Sequence, residues 1–220
     1  MPVMKRYAFI DAPNTSGTTR ECLGFIVDWA KLFKFLKNEK WNCEEVFFYK
    51  GYKGDKEKNQ LEKLEQDIGF SVRTKLTHAH PDRTIDIPIK CGQCENEFLY
   101  KYTIRGNRKS NCDVELTVDA LKTLSKGDEA LIFTGDGDFA YLIETLRDNG
   151  VTIFIVSSKE RDGNGNKRFS TRLTDILKKE GIISKKVKFL DINRWRSNIE
   201  KLEEEKMKTA SPERSDGSRM

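Results

Sequence analysis

The sequence predicts an α/β fold, a central parallel sheet flanked by helices with an inserted β-hairpin. Three observations point to it. The apolar runs Tyr7-Ala8-Phe9-Ile10, Ala130-Leu131-Ile132-Phe133 and Val151 to Val156 stop abruptly at turn residues, as strands buried on both faces do. Amphipathic segments of helical spacing separate the runs, as in βαβ units. Carboxylates stand directly after two of these runs, Asp11 after the first and Asp136 with Asp138 after Phe133. Ligands of open parallel sheets bind in the crevice beyond the carboxyl ends of the strands.

The elements follow in order. Pro13 ends the first strand, because it has no N–H for the ladder, and Asp11 with Asn14 reads as an Asx-turn or as part of a site. Thr15 to Thr19 reads as a polar loop able to contact phosphate. Cys22 to Leu36 places Leu23, Ile26, Val27, Ala30, Phe33 and Phe35 at roughly helical spacing, with Trp29 and Leu32 broadening the apolar face, a core-facing helix. Glu45 to Tyr49 is a second strand, running into the basic Lys50-Gly51-Tyr52-Lys53-Gly54. Lys56 to Ile68 is a charged helix, and Phe70 to Leu76 an alternating, more exposed third strand.

From Thr77 to Asn111 the βαβ rhythm is interrupted. Ile85 to Lys90 and Glu97 to Ile104 predict a hairpin insertion, 84–105, whose turn carries Cys91 and Cys94, followed by the basic Arg105, Arg108 and Lys109. A C-x-x-C turn is half of a structural Zn2+ site, which needs four ligands. His78, His80 or Cys112 could complete it, or two hairpins could share one ion across a homodimer; two reduced thiols are the plain alternative. The helix from Asp113 to Leu121 places Glu115 and Asp119 on one face, a mildly repulsive pair that a nearby metal or Lys would compensate, with a solvated pair as the competing account. Tyr141 to Asn149 is an amphipathic helix, Arg161 to Arg168 a basic, mobile loop, Ser170 to Leu177 a short helix and Val187 to Leu190 an edge strand. The expected organisation is one domain over 1–190, a C-terminal helix over 191–208 and a disordered tail over 209–220.

Composition sets outer limits. Of 220 residues, 37% are hydrophobic, including 13 Phe, enough for a core, while 34% are charged. The net charge of +5 permits a polyanionic partner without requiring one. No apolar run suits a signal peptide or a bilayer span, so the expectation is a cytoplasmic protein with no membrane partner. Five cysteines without an export signal argue for reduced thiols or metal ligands. Neither the G-x-x-x-x-G-K-[ST] nor the G-x-G-x-x-G pattern occurs, and both histidines lie in one loop, which leaves no Ser-His-Asp arrangement. The acidic positions would instead form a hard, oxygen-only site suited to Mg2+ or Mn2+, with the single-Asp helix cap as the bland alternative at each.

Phe9-Ile10-Asp11 with Asn14, then Cys112-Asp113-Val114-Glu115-Leu116-Thr117-Val118-Asp119-Ala120-Leu121, then Thr134-Gly135-Asp136-Gly137-Asp138-Phe139 closing at Gly150-Val151, together resemble the NYN domain, a member of the PIN-like nuclease group. The similarity runs from about Lys5 to Asp175. The hairpin is longer than the family's minimal pattern, and Cys112 stands where a glycine is common. The resemblance implies a Rossmann-like, PIN-like sheet and a Mg2+- or Mn2+-dependent endoribonuclease. It places Asp11, Asn14, Asp113, Asp136 and Asp138 in or around the metal pocket, with Asp119 as a further acidic member. The expected roles are Asp11, Asp113 and Asp136 holding the ion, Asp138 or Asp119 orienting or deprotonating the attacking water, and Asn14 holding a phosphate oxygen or a metal-bound water. Lys50, Lys53, Arg105, Arg108 and Lys109 are the candidate backbone contacts for single-stranded or structured RNA, and Tyr52, Tyr100 and Tyr102 could stack on unpaired bases. The alternative from another class is a non-catalytic RNA-binding or regulatory scaffold that keeps the fold.

Overall fold

The computed structural model describes residues 4–79, 82–94, 96–104, 108–109, 111–183 and 185–202. In chain order, β1 (Arg6–Asp11) leads into α1 (Ala12–Gly17), which continues as a wider turn over Thr18–Cys22. Then come α2 (Trp29–Lys37), β2 (Glu45–Tyr52), α3 (Asp55–Lys63) and β3 (Ser71–Leu76). The insertion comprises β4 (His78–Ala79), β5 (Arg83–Lys90), β6 (Glu97–Ile104) and β7 (Arg108–Lys109). The body resumes with α4 (Asp113–Thr123), β8 (Glu129–Phe133), α5 (Ala140–Asp148), β9 (Thr152–Ser157), α6 (Thr171–Ile183), β10 (Val187–Asp191) and α7 (Arg196–Ile199).

Six strands form one sheet in the order β10-β9-β8-β1-β2-β3, every pair parallel. Counting only these strands, this is the Rossmann-like 3-2-1-4-5-6 order. Alternation along the strands splits the core in two. Tyr7, Phe9, Ala130 and Ile132 face α4, α5 and α6, while Ala8, Ile10, Leu131 and Phe133 face α2, α3 and α7. Phe9 stacks on Phe47 with centroids 5.0 Å apart. Leu131 is fully buried in the central β8. Leu131→Ala is expected to cost about 2–5 kcal/mol of unfolding free energy by urea denaturation, the usual cost of such a cavity.

The expected hairpin is present, β5 and β6 pairing antiparallel from Arg83 opposite Ile104 to Lys90 opposite Glu97. Three expected elements differ. The helix expected over Cys22 to Leu36 is broken: Gly24 takes a left-handed φ of 69°, and Asp28 caps a new helix by accepting from the Lys31 N–H at 3.0 Å. Ile26, assigned to the core, is exposed, and Leu32 and Leu36 are the buried side chains of α2. The polar run Thr15 to Thr19 is no phosphate loop. It is helical, with Thr15, Thr18 and Thr19 buried and the Thr15 hydroxyl donating to the Asp11 carbonyl at 2.8 Å. Pro13 is tolerated there because the first turn of a helix has no use for its N–H.

The helix expected over 191–208 also fails in its described part. Asp191 ends β10, α7 stops at Ile199, and Glu200 pairs antiparallel with Val27 while the Lys201 N–H donates to the Ile26 carbonyl at 2.8 Å. The apolar spacing of Trp195 and Ile199 is real, but both side chains pack under β1 and β8 beside α2, which favours an extended return over a free helix. Residues 203–208 and the tail expected over 209–220 lie outside the described residues, as do His80 and Arg105.

Candidate active site

β1 and β8 are neighbours, with Ile10 opposite Phe133. The chain leaves them in opposite directions along the sheet, β2 adding on one side and β9 on the other. Their carboxyl ends therefore flank the switch point where a crevice opens. Asp11 ends β1, and its carboxylate accepts from the Asn14 N–H at 3.2 Å and the Thr134 hydroxyl at 3.4 Å. Asp136 follows β8 and accepts from the Asp138 N–H at 3.0 Å. Each is a helix cap, as the bland reading has it, and each also faces a cleft of about 350 Å3. Asn14, Tyr49, Lys50, Asn111, Asp113 and Arg168 share its wall.

Asp113 arrives from a third direction, as the first residue of α4. It receives a hydrogen bond from the Asn111 amide, and its own N–H donates back to Asn111 Oδ1 at 3.1 Å. The electrostatics record the convergence. Burial, then the nearby Asp113 and Asp136 carboxylates, push Asp11 up to about 6 against the help of its two hydrogen bonds. Asp113 is also raised, by burial first and then by Asp136, Asp138 and Glu115. A buried carboxylate facing like charges prefers a proton or a cation.

Asp138 and Asp119 stand elsewhere. Asp138 is exposed, with Arg172 at 3.8 Å, and lines an adjoining cleft with Lys167, Arg168, Ser170 and Arg172. Asp119 is absent from both walls. It accepts from the Tyr49 hydroxyl at 3.1 Å and Arg73 Nε at 3.0 Å, so it supports the cleft wall through Tyr49. The cation that the Glu115 and Asp119 pair called for comes from β3, since Lys75 meets Glu115 at 2.7 Å and Arg73 meets Asp119.

Of the basic candidates, Lys50 lines the cleft. Lys53 is exposed outside it, its backbone N–H donating to Glu57 at 2.7 Å. Arg108 and Lys109 form β7, paired with β4. The aromatic candidates do not join the cleft either: Tyr52 packs against the core, and Tyr100 and Tyr102 lie on the hairpin.

Sequence reasoning missed Arg168, Arg172, Lys167, Asn111 and Tyr49 as site residues. The loop from Arg161 to Arg168, expected to be mobile, is folded on itself by Asp162, which accepts from the Asn164 and Asn166 N–H groups at 2.9 and 2.8 Å. Arg168 then pairs with Glu21 and reaches the cleft. Gly135 explains how it gets there. A Cβ at Gly135 would lie 2.6 Å from the Arg168 carbonyl oxygen, and the Ser170 N–H donates to the Gly135 carbonyl at 2.9 Å. Asn14 Oδ1 accepts the Gly135 N–H at 2.8 Å, tying α1 to the same turn. The Gly-Asp-Gly pattern was the one signal of such a close backbone approach.

The donor set fits a hard divalent cation in kind, three carboxylates with the amides of Asn14 and Asn111 beside them. Among the described residues, no three His, Cys, Asp or Glu side chains are drawn into a ready-made ligand group. This also bears on the hairpin cysteines. Cys112 cannot join them: it is buried in the core against α4, its thiol 4.0 Å from the Arg73 carbonyl.

A Rossmann-like parallel sheet with carboxylates at its switch point is the PIN-like class of α/β domain. The chain belongs to the NYN domain family, whose pattern it matches over residues 6–177. It is 24% identical over 204 residues to the Low amplitude and bright protein LabA of Synechococcus elongatus, spanning 89% of this chain and 87% of that protein. The crystal structure of VPA0982, a protein of unknown function from Vibrio parahaemolyticus, shares the fold with a TM-score of 0.52 at 19% identity, covering 86% of this chain and 94% of that one. No described helix is long and apolar enough to cross a membrane.

Proposed function

We propose that the protein is an endoribonuclease that hydrolyses phosphodiester bonds of single-stranded or structured RNA with Mg2+ or Mn2+ in the acidic cleft. One observation carries this reading: Asp11, Asp113 and Asp136, from three separate parts of the chain, face one cleft at the switch point and repel one another. Membership of a nuclease-like family supports it. Asp11, Asp113 and Asp136 would hold the ion, which when bound supplies charge neutralisation for a phosphate and a more acidic water.

The chain's own residues do the rest. Lys50 and Arg168 in the wall, with Arg172 and Lys167 at the adjoining cleft, pair with backbone phosphates, which positions a strand without reading its bases. Asn14 uses its carbonyl oxygen on Gly135, so its amide N–H2 is the end that donates to a phosphate oxygen. Asp138, exposed at the rim, orients and deprotonates the attacking water. Asp119 is a positioning residue, acting through Tyr49.

Labelled RNA and DNA incubated with Mn2+ test the proposal. Wild type is expected to cleave RNA, and Asp136→Asn to lose more than about 100-fold in rate while still binding RNA, since even disturbing an outer partner of a metal costs about 10–100-fold. Asn is as good a helix cap as Asp, so folding should hold. RNA binding without cleavage by wild type would leave the non-catalytic scaffold as the answer. Because a cation must displace the proton from Asp11, the cleavage rate is expected to climb as pH rises through about 6. A pH–rate profile flat from about 5 to about 8 would contradict that.

A further inference from the structure

No described residue of the inserted hairpin lines the cleft, and the ribbon's two faces differ in kind. Ile85 lies opposite Tyr102, Ile87 opposite Tyr100 and Ile89 opposite Phe98. Strand alternation puts these six, with Ile104, on one side of the ribbon. The other side carries Thr84 opposite Thr103, Asp86 opposite Lys101 and Lys90 opposite Glu97, pairs suited to water, with one apolar pair among them, Pro88 opposite the exposed Leu99. On the apolar side Phe98, Tyr100 and Tyr102 are 53%, 52% and 51% exposed. A lone two-stranded ribbon is marginal in water and gains stability when another layer covers its apolar face.

The ribbon ends in Cys91-Gly92-Gln93-Cys94. The ladder runs one step past β5, the Cys91 N–H donating to the Asn96 carbonyl at 2.9 Å. The same alternation therefore places Cys91 on the side of Ile85, Ile87 and Ile89. The backbone N–H groups of Gln93 and Cys94, then the Cys94 thiol, hydrogen-bond the Cys91 sulfur and hold its thiol below the ordinary range. Such N–H groups stabilise a metal-binding thiolate. A closed zinc site needs four ligands. One hairpin offers two, and among the described residues no third joins them.

We propose that two copies of this chain pair through the apolar faces of their hairpins, tips together, and that Cys91 and Cys94 of both copies hold one Zn2+ in a four-thiolate site. A two-fold axis along the ribbon lays the isoleucine row of one copy on the aromatic row of the other and brings both cysteine turns to one end, an isologous contact. A phosphate backbone fits this face less well, because Arg83, at its base, is the one cation that alternation places there among the described residues. With aromatic side chains worth roughly 150–250 Å2 and about half of each exposed, Phe98, Tyr100 and Tyr102 hide roughly 300 Å2 per copy, and the part-exposed Ile87, Ile89 and Ile104 bring the face toward the lower end of a stable interface. The metal adds the second link, and its binding releases the thiol protons.

Light scattering and elemental analysis of the whole chain, equilibrated with Zn2+ and dialysed, test the proposal. The expected result is a dimer with one zinc ion per two chains, and Co2+ in its place giving thiolate-to-cobalt absorption. Replacing both cysteines, Cys91→Ser with Cys94→Ser, should remove the metal. Tyr100→Glu keeps both thiols yet should split the dimer and weaken zinc binding about 100-fold, because the second pair of thiols is no longer delivered by the same assembly. These side chains are solvent-exposed or half-buried on the hairpin, so thermal melting of the sheet body should not change. A monomer, with or without zinc, would overturn the proposal. So would a dimer free of zinc, a dimer indifferent to Tyr100→Glu, or zinc retained after both cysteines are replaced.

Discussion

Asp11→Asn is expected to stabilise the metal-free protein at neutral pH while abolishing Mn2+-dependent cleavage. Asp11 ordinarily ionises near 3.8, and in the folded protein near 6. Between those values the folded state keeps a proton that the unfolded chain has released. The stability from this group is therefore fully present below its unfolded value and is lost as pH rises through about 6. At about 1.36 kcal/mol per unit, the cost of ionised Asp11 at neutral pH is about 1–3 kcal/mol. Asn removes that cost and keeps the cap, since its oxygen can still accept the Asn14 N–H. For a chain of this size the gain corresponds to several degrees in Tm, at roughly 2–4 °C per kcal/mol. The advantage should vanish near the ordinary ionisation value of 3.8, where Asp11 of the folded protein is already neutral. Added Mn2+ should raise the melting temperature of wild type more than that of the variant, by mass action on the folded state. Equal melting at neutral pH, with cleavage intact, would remove Asp11 from the site.

Gly135→Ala should be the most damaging small substitution near the cleft. Its Cβ would meet the Arg168 carbonyl oxygen at 2.6 Å and the Ser157 hydroxyl at 3.0 Å. The first is backbone and cannot rotate away, so the strand end or the Arg168 segment must move. Overpacking of this kind costs about 1–3 kcal/mol. The displacement also strains the Ser170 hydrogen bond to Gly135 and draws Arg168 out of the cleft wall, so RNA affinity should fall with stability. Gly163→Ala is the control: its Cβ would meet nothing within 4 Å, and melting should match wild type. Equal melting of the two variants would mean the Arg168 segment yields freely and does not shape the cleft.

Local pattern was enough for much of the molecule. Four apolar residues ending at Gly-Asp-Gly read as a strand buried on both faces, and Asp11, Asp136 and Asp138 were visible because a strand's carboxyl end is a position readable from the chain alone. The hairpin was readable too, because alternation and a C-x-x-C turn are local. The errors over Cys22 to Leu36 and Thr15 to Thr19 arose where short-range spacing competes with backbone geometry: Gly24 breaks the expected helix, and Thr15 spends its hydroxyl on carbonyl oxygens.

By itself, then, the sequence determined the βαβ body, the inserted ribbon and which carboxylates stand at strand ends, since periodicity and turn chemistry act within a few residues. Only the tertiary structure decided that β8 lies beside β1, which makes neighbours of Asp11 and Asp136 across more than half the chain. It alone separated Asp119, held by Tyr49 and Arg73 behind the cleft, from Asp113 within it. It alone brought Arg168 to the wall, through a backbone contact that a glycine permits. Strand order and long-range backbone contact depend on how faces pack across the sheet, and no window of neighbouring residues carries that information.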